Sequence, residues 1–160
     1  MKTIVLTFSM LLFLVFTDDL KAQNKKINWL NFQQLEDSLA IKPKKVFINF
    51  HTDWCVYCKK MDEAAFKDPE VIQKLNSEFY AVKMNSESRK PITFDGKIYT
   101  NKEIGKKRKP IHEIPLLLGN RKNKPFSLPL TILLDEKFKI IKRDFEYISP
   151  KNMINFLNQH

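Results

Sequence analysis

The sequence predicts an α/β fold in which a central mixed sheet is flanked by helices. Apolar runs of strand length alternate along the chain with segments whose apolar residues recur every three or four positions. The chain has two cysteines, Cys55 and Cys58, and they directly follow one of those runs. A bridge that closes so short a loop restricts the unfolded chain very little, so this pair indicates redox chemistry rather than a structural staple.

The first 22 residues are predicted to be a signal peptide. Lys2 supplies a positive start, Ile4 to Phe16 is an apolar run, and Ala22 offers a small residue before a cut. We therefore expect an exported protein, periplasmic or secreted, with one domain over residues 23–160. An uncleaved membrane anchor is the alternative, although the run is short for a bilayer.

Four elements are expected in the first half of that domain. Apolar residues spaced by three and four predict an amphipathic helix over about residues 29–40. Lys45 to His51 has the composition of a buried central strand, and a helix should then run from Cys55 to about Phe66. Asp68 is suited to cap a further helix, because Pro69 follows it at the first helical position.

A second strand is expected from Phe79 to Met84, and a basic segment of about residues 86–127 follows it. The segment holds 11 basic and 4 acidic residues, so it carries +7 of the chain's net +10. We interpret it as an insertion within one domain. Inside it, Asp95-Gly96 predicts the turn of a hairpin, and residues 111–118 predict a short helix that Pro115 limits.

The pattern of the first half resumes after the insertion. Leu130 to Leu134 is predicted to be a third strand, and a turn at Asp135-Glu136 leads into a fourth strand from Lys137 to Asp144. Ser149-Pro150 is expected to begin the last helix.

The motif Asp-Trp-Cys-Val-Tyr-Cys-Lys-Lys-Met, residues 53–61, resembles exported members of the thioredoxin-like superfamily. It is also similar to the C-terminal periplasmic domain of the DsbD family, as is Phe-Lys-Asp-Pro-Glu-Val downstream, residues 66–71. The order of predicted elements agrees with this resemblance over most of residues 27–159. The resemblance implies a thioredoxin-like fold and a thiol–disulfide oxidoreductase.

The resemblance also implies roles for individual residues. Cys55 is then the attacking thiolate, which a helix N-terminus favours, and Cys58 is the resolving thiol. Leu128 and Pro129 occupy the place of the cis-proline segment, which lines the substrate groove together with Tyr57. Trp54 is expected to pack beside the disulfide and shape the docking surface.

One departure from the family pattern concerns proton transfer. Many thioredoxins carry a buried acid where this chain has Asn49, and an amide cannot accept a proton at neutral pH. Asp62 lies one turn beyond Cys58, and the DsbD-like pattern also carries an acid there. We interpret Asp62 as a proton relay; a solvated surface aspartate is the alternative.

The histidines and the insertion favour no further chemistry. Cys55, Cys58, His51 and His112 are suitable zinc ligands, but the histidines are 61 positions apart, so we expect no metal. His51 is expected to be structural, and the role of His112-Glu113 is left open. The insertion lacks interleaved aromatic residues, so we expect a solvated face, or a docking surface for an acidic protein or lipid headgroups, rather than a nucleic-acid site.

The functional prediction is therefore an exported reductase of protein disulfides. Its redox group is the Cys55–Cys58 pair, without a further cofactor. We expect a monomer that docks disulfide-containing proteins and is reduced by a membrane or periplasmic thiol donor. Two alternatives remain, a disulfide oxidant or isomerase and a non-catalytic binding module with the same fold.

Overall fold

The computed structural model describes residues 26–159 as a five-stranded mixed sheet with a separate two-stranded hairpin. The proposed signal peptide therefore lies outside the described residues. The strands are β1 (Trp29–Leu30), β2 (Lys45–His51), β3 (Phe79–Asn85), β4 (Ile92–Phe94), β5 (Lys97–Tyr99), β6 (Leu130–Leu134) and β7 (Ile140–Asp144). The sheet order is β1-β3-β2-β6-β7. Strands β1, β3 and β2 are parallel, whereas β6 is antiparallel to β2 and to β7.

Five α-helices connect and cover these strands in the described part of the chain. They are α1 (Phe32–Ile41), α2 (Val56–Glu63), α3 (Pro69–Glu78), α4 (Glu113–Leu118) and α5 (Pro150–Leu157). As predicted, Asp68 caps α3, where its carboxylate accepts from the N–H groups of Glu70 and Val71, and Ser149 caps α5. Within residues 26–159, each helix is too short or too polar to cross a membrane.

The prediction of a helix over residues 29–40 was wrong at its start. Trp29 and Leu30 form β1, which pairs with Ala81 and Val82 of β3. The helix begins only at Phe32 because Asn31 forms a capping box. Its side chain accepts from the Gln34 N–H at 2.9 Å, and the Gln34 side chain accepts from the Asn31 N–H at 2.9 Å.

Three further elements differ from the prediction in extent. Helix α2 ends at Glu63, and a 3₁₀ turn (Ala65–Lys67) follows it. Strand β7 begins at Ile140 because the preceding turn is longer than two residues and closes with a bond from the Asp135 N–H to the Lys139 carbonyl. Helix α4 begins at Glu113.

The central strand β2 separates two hydrophobic clusters. Successive side chains of a strand point to opposite faces, so Phe47 packs with Met61 and Phe66, whereas Val46, Ile48 and Phe50 belong to the cluster that includes Phe32 and Leu130. Asn49 shares the Phe47 face, which is the face that α2 covers. Burial on both faces holds β2 in place, and its C-terminal end leads directly into the two cysteines.

The hairpin predicted in the insertion is confirmed. Strands β4 and β5 pair antiparallel, and both turn residues, Asp95 and Gly96, have positive φ values of 51° and 66°. Such φ values are typical of the two-residue turns that suit the twist of a hairpin. The loop after β5 then leads through His112 into α4.

Candidate active site

The two cysteines lie at the junction of β2 and α2. The Cys55 N–H donates to the Thr52 carbonyl at 3.2 Å, which turns the chain after the strand. Cys55 is the N-cap of α2, and its Sγ accepts from the Cys58 N–H at 3.2 Å. The two sulfurs are bonded as a disulfide, and both residues are buried. The position expected for Cys55, at a helix N-terminus, is therefore the observed one.

Large apolar side chains are exposed immediately around the buried pair. Trp54 is 47% exposed, Val56 is 73% exposed and Tyr57 is 60% exposed. Large side chains of this kind are usually found in cores or in interfaces, so the rim of the disulfide has the character of a docking surface. It surrounds a disulfide that is itself only slightly exposed.

A groove lies beside the pair and contains the residues that the resemblance assigned to substrate binding. The Leu128–Pro129 peptide bond is cis, and Pro129 precedes β6, the neighbour of β2 in the sheet. The groove has a volume of about 400 Å³. It is lined by Tyr57, Leu128, Pro129, Phe145, Glu146 and Tyr147.

The loop that leads into Leu128–Pro129 is braced by Arg121. Its guanidinium donates to the Pro125 carbonyl and to the Ser127 hydroxyl, both at 2.8 Å. It also lies 3.6 Å from the ring centre of Phe145, within the range of a cation–π contact. Sequence reasoning missed Arg121 and the groove residues that directly follow β7, because no local pattern connects them with the motif.

Several polar side chains lie near the cysteines on the face of the sheet that α2 covers. Asn49 is buried, and its amide donates to Thr131 Oγ1 at 3.4 Å. Asp62 forms an ion pair with Lys83 of β3, a partner that the sequence did not reveal. Asp62 is therefore neither a free surface carboxylate nor a buried one; its side chain is 36% exposed.

His51 adds no positive charge to this group at neutral pH. Burial lowers the pKa of His51 below its ordinary value of 6.5, and the positive charge of Lys83 lowers it further. The carboxylates of Asp62 and Asp53 oppose that change but do not cancel it. Among residues 26–159, no three side chains of His, Cys, Asp or Glu are grouped so that they could hold a metal ion.

Trp54 is contacted by two residues of the insertion. Its Nε1 donates to Glu87 Oε1 at 3.0 Å, and Lys109 Nζ lies 3.4 Å from the centre of its ring. Both partners were missed from the sequence, since Glu87 is 33 positions from Trp54 and nothing local marks the pairing. The insertion therefore reaches the edge of the disulfide.

His112 and Glu113 hold the insertion together. His112 is fully buried and caps α4, with its Nδ1 accepting from the Ile114 N–H at 3.2 Å. Glu113 accepts from the N–H and the hydroxyl of Thr100. The hydrogen bond from Lys102 is the main cause that lowers the pKa of Glu113 to about 2. The pair thus has a structural explanation in contacts within the insertion.

Comparison with known proteins agrees with this architecture. The family model described as a thioredoxin-like domain matches residues 32–160. The thiol:disulfide interchange protein DsbD of Campylobacter jejuni (strain RM1221) is 36% identical over 47 residues, which are 29% of this chain and 8% of that protein. The matched region is thus less than a tenth of the length of that curated relative.

Solved structures show the same fold. A thioredoxin from Thermus thermophilus has a TM-score of 0.55 and 20% identity, with 84% of this chain and 86% of that chain covered. The reduced C-terminal domain of Neisseria meningitidis DsbD has a TM-score of 0.52 and 16% identity, with 79% and 90% covered. The thioredoxin-like fold and the similarity to DsbD predicted from the sequence are confirmed.

We predict that His112→Asn reduces the loss of stability in acid. Burial lowers the pKa of His112 in the folded protein below its ordinary value of 6.5, although the carbonyls of Tyr99 and Lys90 and the Glu113 charge oppose this. Below about pH 6.5 the unfolded chain therefore binds a proton that the folded protein does not, and stability present above that pH is lost as the pH falls. Asparagine keeps an N-cap acceptor and does not titrate.

The measurement is thermal unfolding of both proteins at pH 7 and pH 5. The fall in Tm between the two pH values should be smaller in His112→Asn by a few degrees. Equal falls in the two proteins would show that His112 does not couple folding to pH.

Proposed function

This chain belongs to the thioredoxin-like domain family, and we propose that it is an exported thiol–disulfide oxidoreductase that reduces protein disulfides. The observation that carries the proposal is Cys55 at the N-cap of α2, with its sulfur accepting the Cys58 N–H. In the reduced protein that N–H and the positive end of the helix favour a Cys55 thiolate, which is the nucleophile of disulfide exchange.

The reaction we propose moves two electrons from the dithiol to a substrate disulfide. The Cys55 thiolate attacks one substrate sulfur; a mixed disulfide forms, and the other substrate sulfur leaves as a thiolate and takes up a proton. Cys58 then loses its proton and attacks Cys55 Sγ, which releases the second substrate thiolate. The protein is left with the Cys55–Cys58 disulfide, which is the form that the structure describes.

Asp62 is proposed to receive the proton of Cys58. Asn49 cannot do so, and Asp62 is the acid one helical turn beyond Cys58 on α2. Its ion pair with Lys83 keeps the carboxylate on the side of the helix that faces β3.

The substrate is proposed to lie in the groove beside the disulfide. Leu128, Pro129 and Tyr57 line this groove, and Tyr57 also belongs to the exposed rim around the cysteines. A segment of extended chain in the groove would bring its own disulfide against Cys55. Trp54 would bound the site on the side of the insertion.

The partners and location follow from the same proposal. A protein that leaves each cycle oxidised needs a thiol donor, and the similarity to DsbD supports a donor at the membrane or in the periplasm. Export is supported by the apolar run from Ile4 to Phe16 and by the small residue Ala22 that follows it. We propose that the protein acts there as a monomer.

We predict that Cys58→Ser traps mixed disulfides whereas Cys55→Ser does not. Without the resolving thiol, the covalent complex formed by Cys55 cannot be released by the protein itself. Each variant, in reduced form, is incubated with a disulfide-containing protein such as insulin and run on a non-reducing gel. Equal trapping by both variants would contradict the assigned roles.

We predict that Asp62→Asn slows insulin reduction at neutral pH by about tenfold or more, as expected for loss of a proton acceptor. The defect should shrink as the pH approaches the ordinary thiol pKa of about 8.5, because Cys58 then ionises without help. Glu63→Gln is the matched control, since Glu63 is the adjacent, exposed acid on the same helix. A rate for Asp62→Asn equal to that of the control at every pH would remove Asp62 from the mechanism.

A further inference from the structure

The indole of Trp54 is held between two side chains of opposite charge, which come from near the two ends of the segment 86–112. Glu87 accepts the indole N–H at 3.0 Å, and the Lys109 ammonium lies 3.4 Å from the ring centre. A hydrogen bond to a charged acceptor and a close cation–π contact are both among the stronger contacts that a tryptophan can form. We refer to Glu87 and Lys109 together as the Trp54 clamp.

The backbone next to each clamp residue is held in place by one buried side chain. Asn101, which is 6% exposed, donates to the Ser88 carbonyl at 3.2 Å and to the Pro110 carbonyl at 2.9 Å. Ser88 directly follows Glu87, and Pro110 directly follows Lys109. One buried amide therefore ties together the backbones beside both clamp residues.

Backbone hydrogen bonds connect the same segment to the sheet. The His112 N–H donates to the Ser86 carbonyl at 2.8 Å, and the Ser86 N–H donates to the His51 carbonyl at 2.7 Å. His51 is the last residue of β2, the strand that carries the cysteines. The clamp is therefore connected to the same strand end as the active-site pair.

The position of Trp54 makes this connection relevant to the chemistry. Trp54 directly precedes Cys55, so their Cα atoms are about 3.8 Å apart. The ring is nevertheless 47% exposed. An exposed tryptophan without such contacts could change rotamer, whereas this one is fixed at its N–H edge and on one face of its ring.

We propose that Glu87 and Lys109 are positioning residues that hold Trp54 as a rigid rim beside Cys55 and thereby determine which disulfides reach it. The inference rests on the proposed function, since it specifies the substrates of that same site. A fixed rim admits a protein disulfide whose segment lies in the groove on the Tyr57 and Pro129 side. A small disulfide is too short to contact the rim and the groove together, so the clamp does not affect it.

The first test follows the emission of Trp54. The chain has two tryptophans, so Trp29→Phe leaves Trp54 as the only one. In this background, Glu87→Met and Lys109→Met should each shift the emission of the oxidised protein to longer wavelength and increase quenching by acrylamide. Glu87→Gln and Lys109→Arg should restore the original signal, because they keep an acceptor and a cation. Lys106→Met is the control, as Lys106 is an exposed lysine of the same loop.

The second test compares two substrates and uses the clamp variants made in the protein that retains Trp29. For insulin, both methionine variants should lower kcat/KM by about three- to tenfold, mostly through KM, as expected for loss of one such contact. For oxidised glutathione, kcat/KM should be unchanged, as should the reduction potential of the pair. A purely structural role for the clamp would instead alter both substrates or neither.

The outcomes separate the two proposals. Emission that is unchanged in both methionine variants would overturn the clamp, and equal effects on insulin and glutathione would overturn its role in selecting substrates. If the unaltered protein reduced neither substrate, the proposed function would fail and substrate selection with it. The emission data would still decide whether Glu87 and Lys109 hold Trp54.

Discussion

The hydrogen bond from the Cys58 N–H to Cys55 Sγ is the contact around which the site is organised. It exists because β2 is buried on both faces and ends one short turn before α2, which makes Cys55 the N-cap. The neighbours of β2 in the sheet supply the surroundings: β6 follows the Leu128–Pro129 segment, and β3 carries Lys83 and leads into Glu87. A change in the order of these three strands would separate the groove, the ion pair and the clamp from the cysteines.

The insertion has a clear division between its acidic and basic residues. Glu103 accepts from the Ile111 N–H, Glu113 accepts from Thr100, and Glu87 accepts from Trp54, so three of its four acids bind specific partners inside the protein. The basic residues mostly remain at the surface. Of these bases, Lys102 and Lys107 form ion pairs with Glu113 and Glu103, and Lys109 contacts Trp54.

Local signals in the sequence were sufficient for much of the fold. The Asp95-Gly96 turn and the caps at Asp68 and Ser149 each depend on a few adjacent residues, and each was predicted correctly. Trp29 and Leu30 were misassigned because their strand exists only through pairing with β3, about 50 positions later. The partners of Trp54 and Asp62 were missed for the same reason: both contacts join segments that the topology, rather than the local pattern, brings together.

The measurement that tests the central claim most directly is the reduction potential of Cys55–Cys58, determined by equilibration with glutathione buffers and an alkylation gel shift. A reductase requires a dithiol that gives up electrons readily, so the account predicts a value near that of thioredoxins, about −270 mV. A value near about −120 mV would mean that the reduced pair is too stable to act as a donor, and the protein would then be an oxidant.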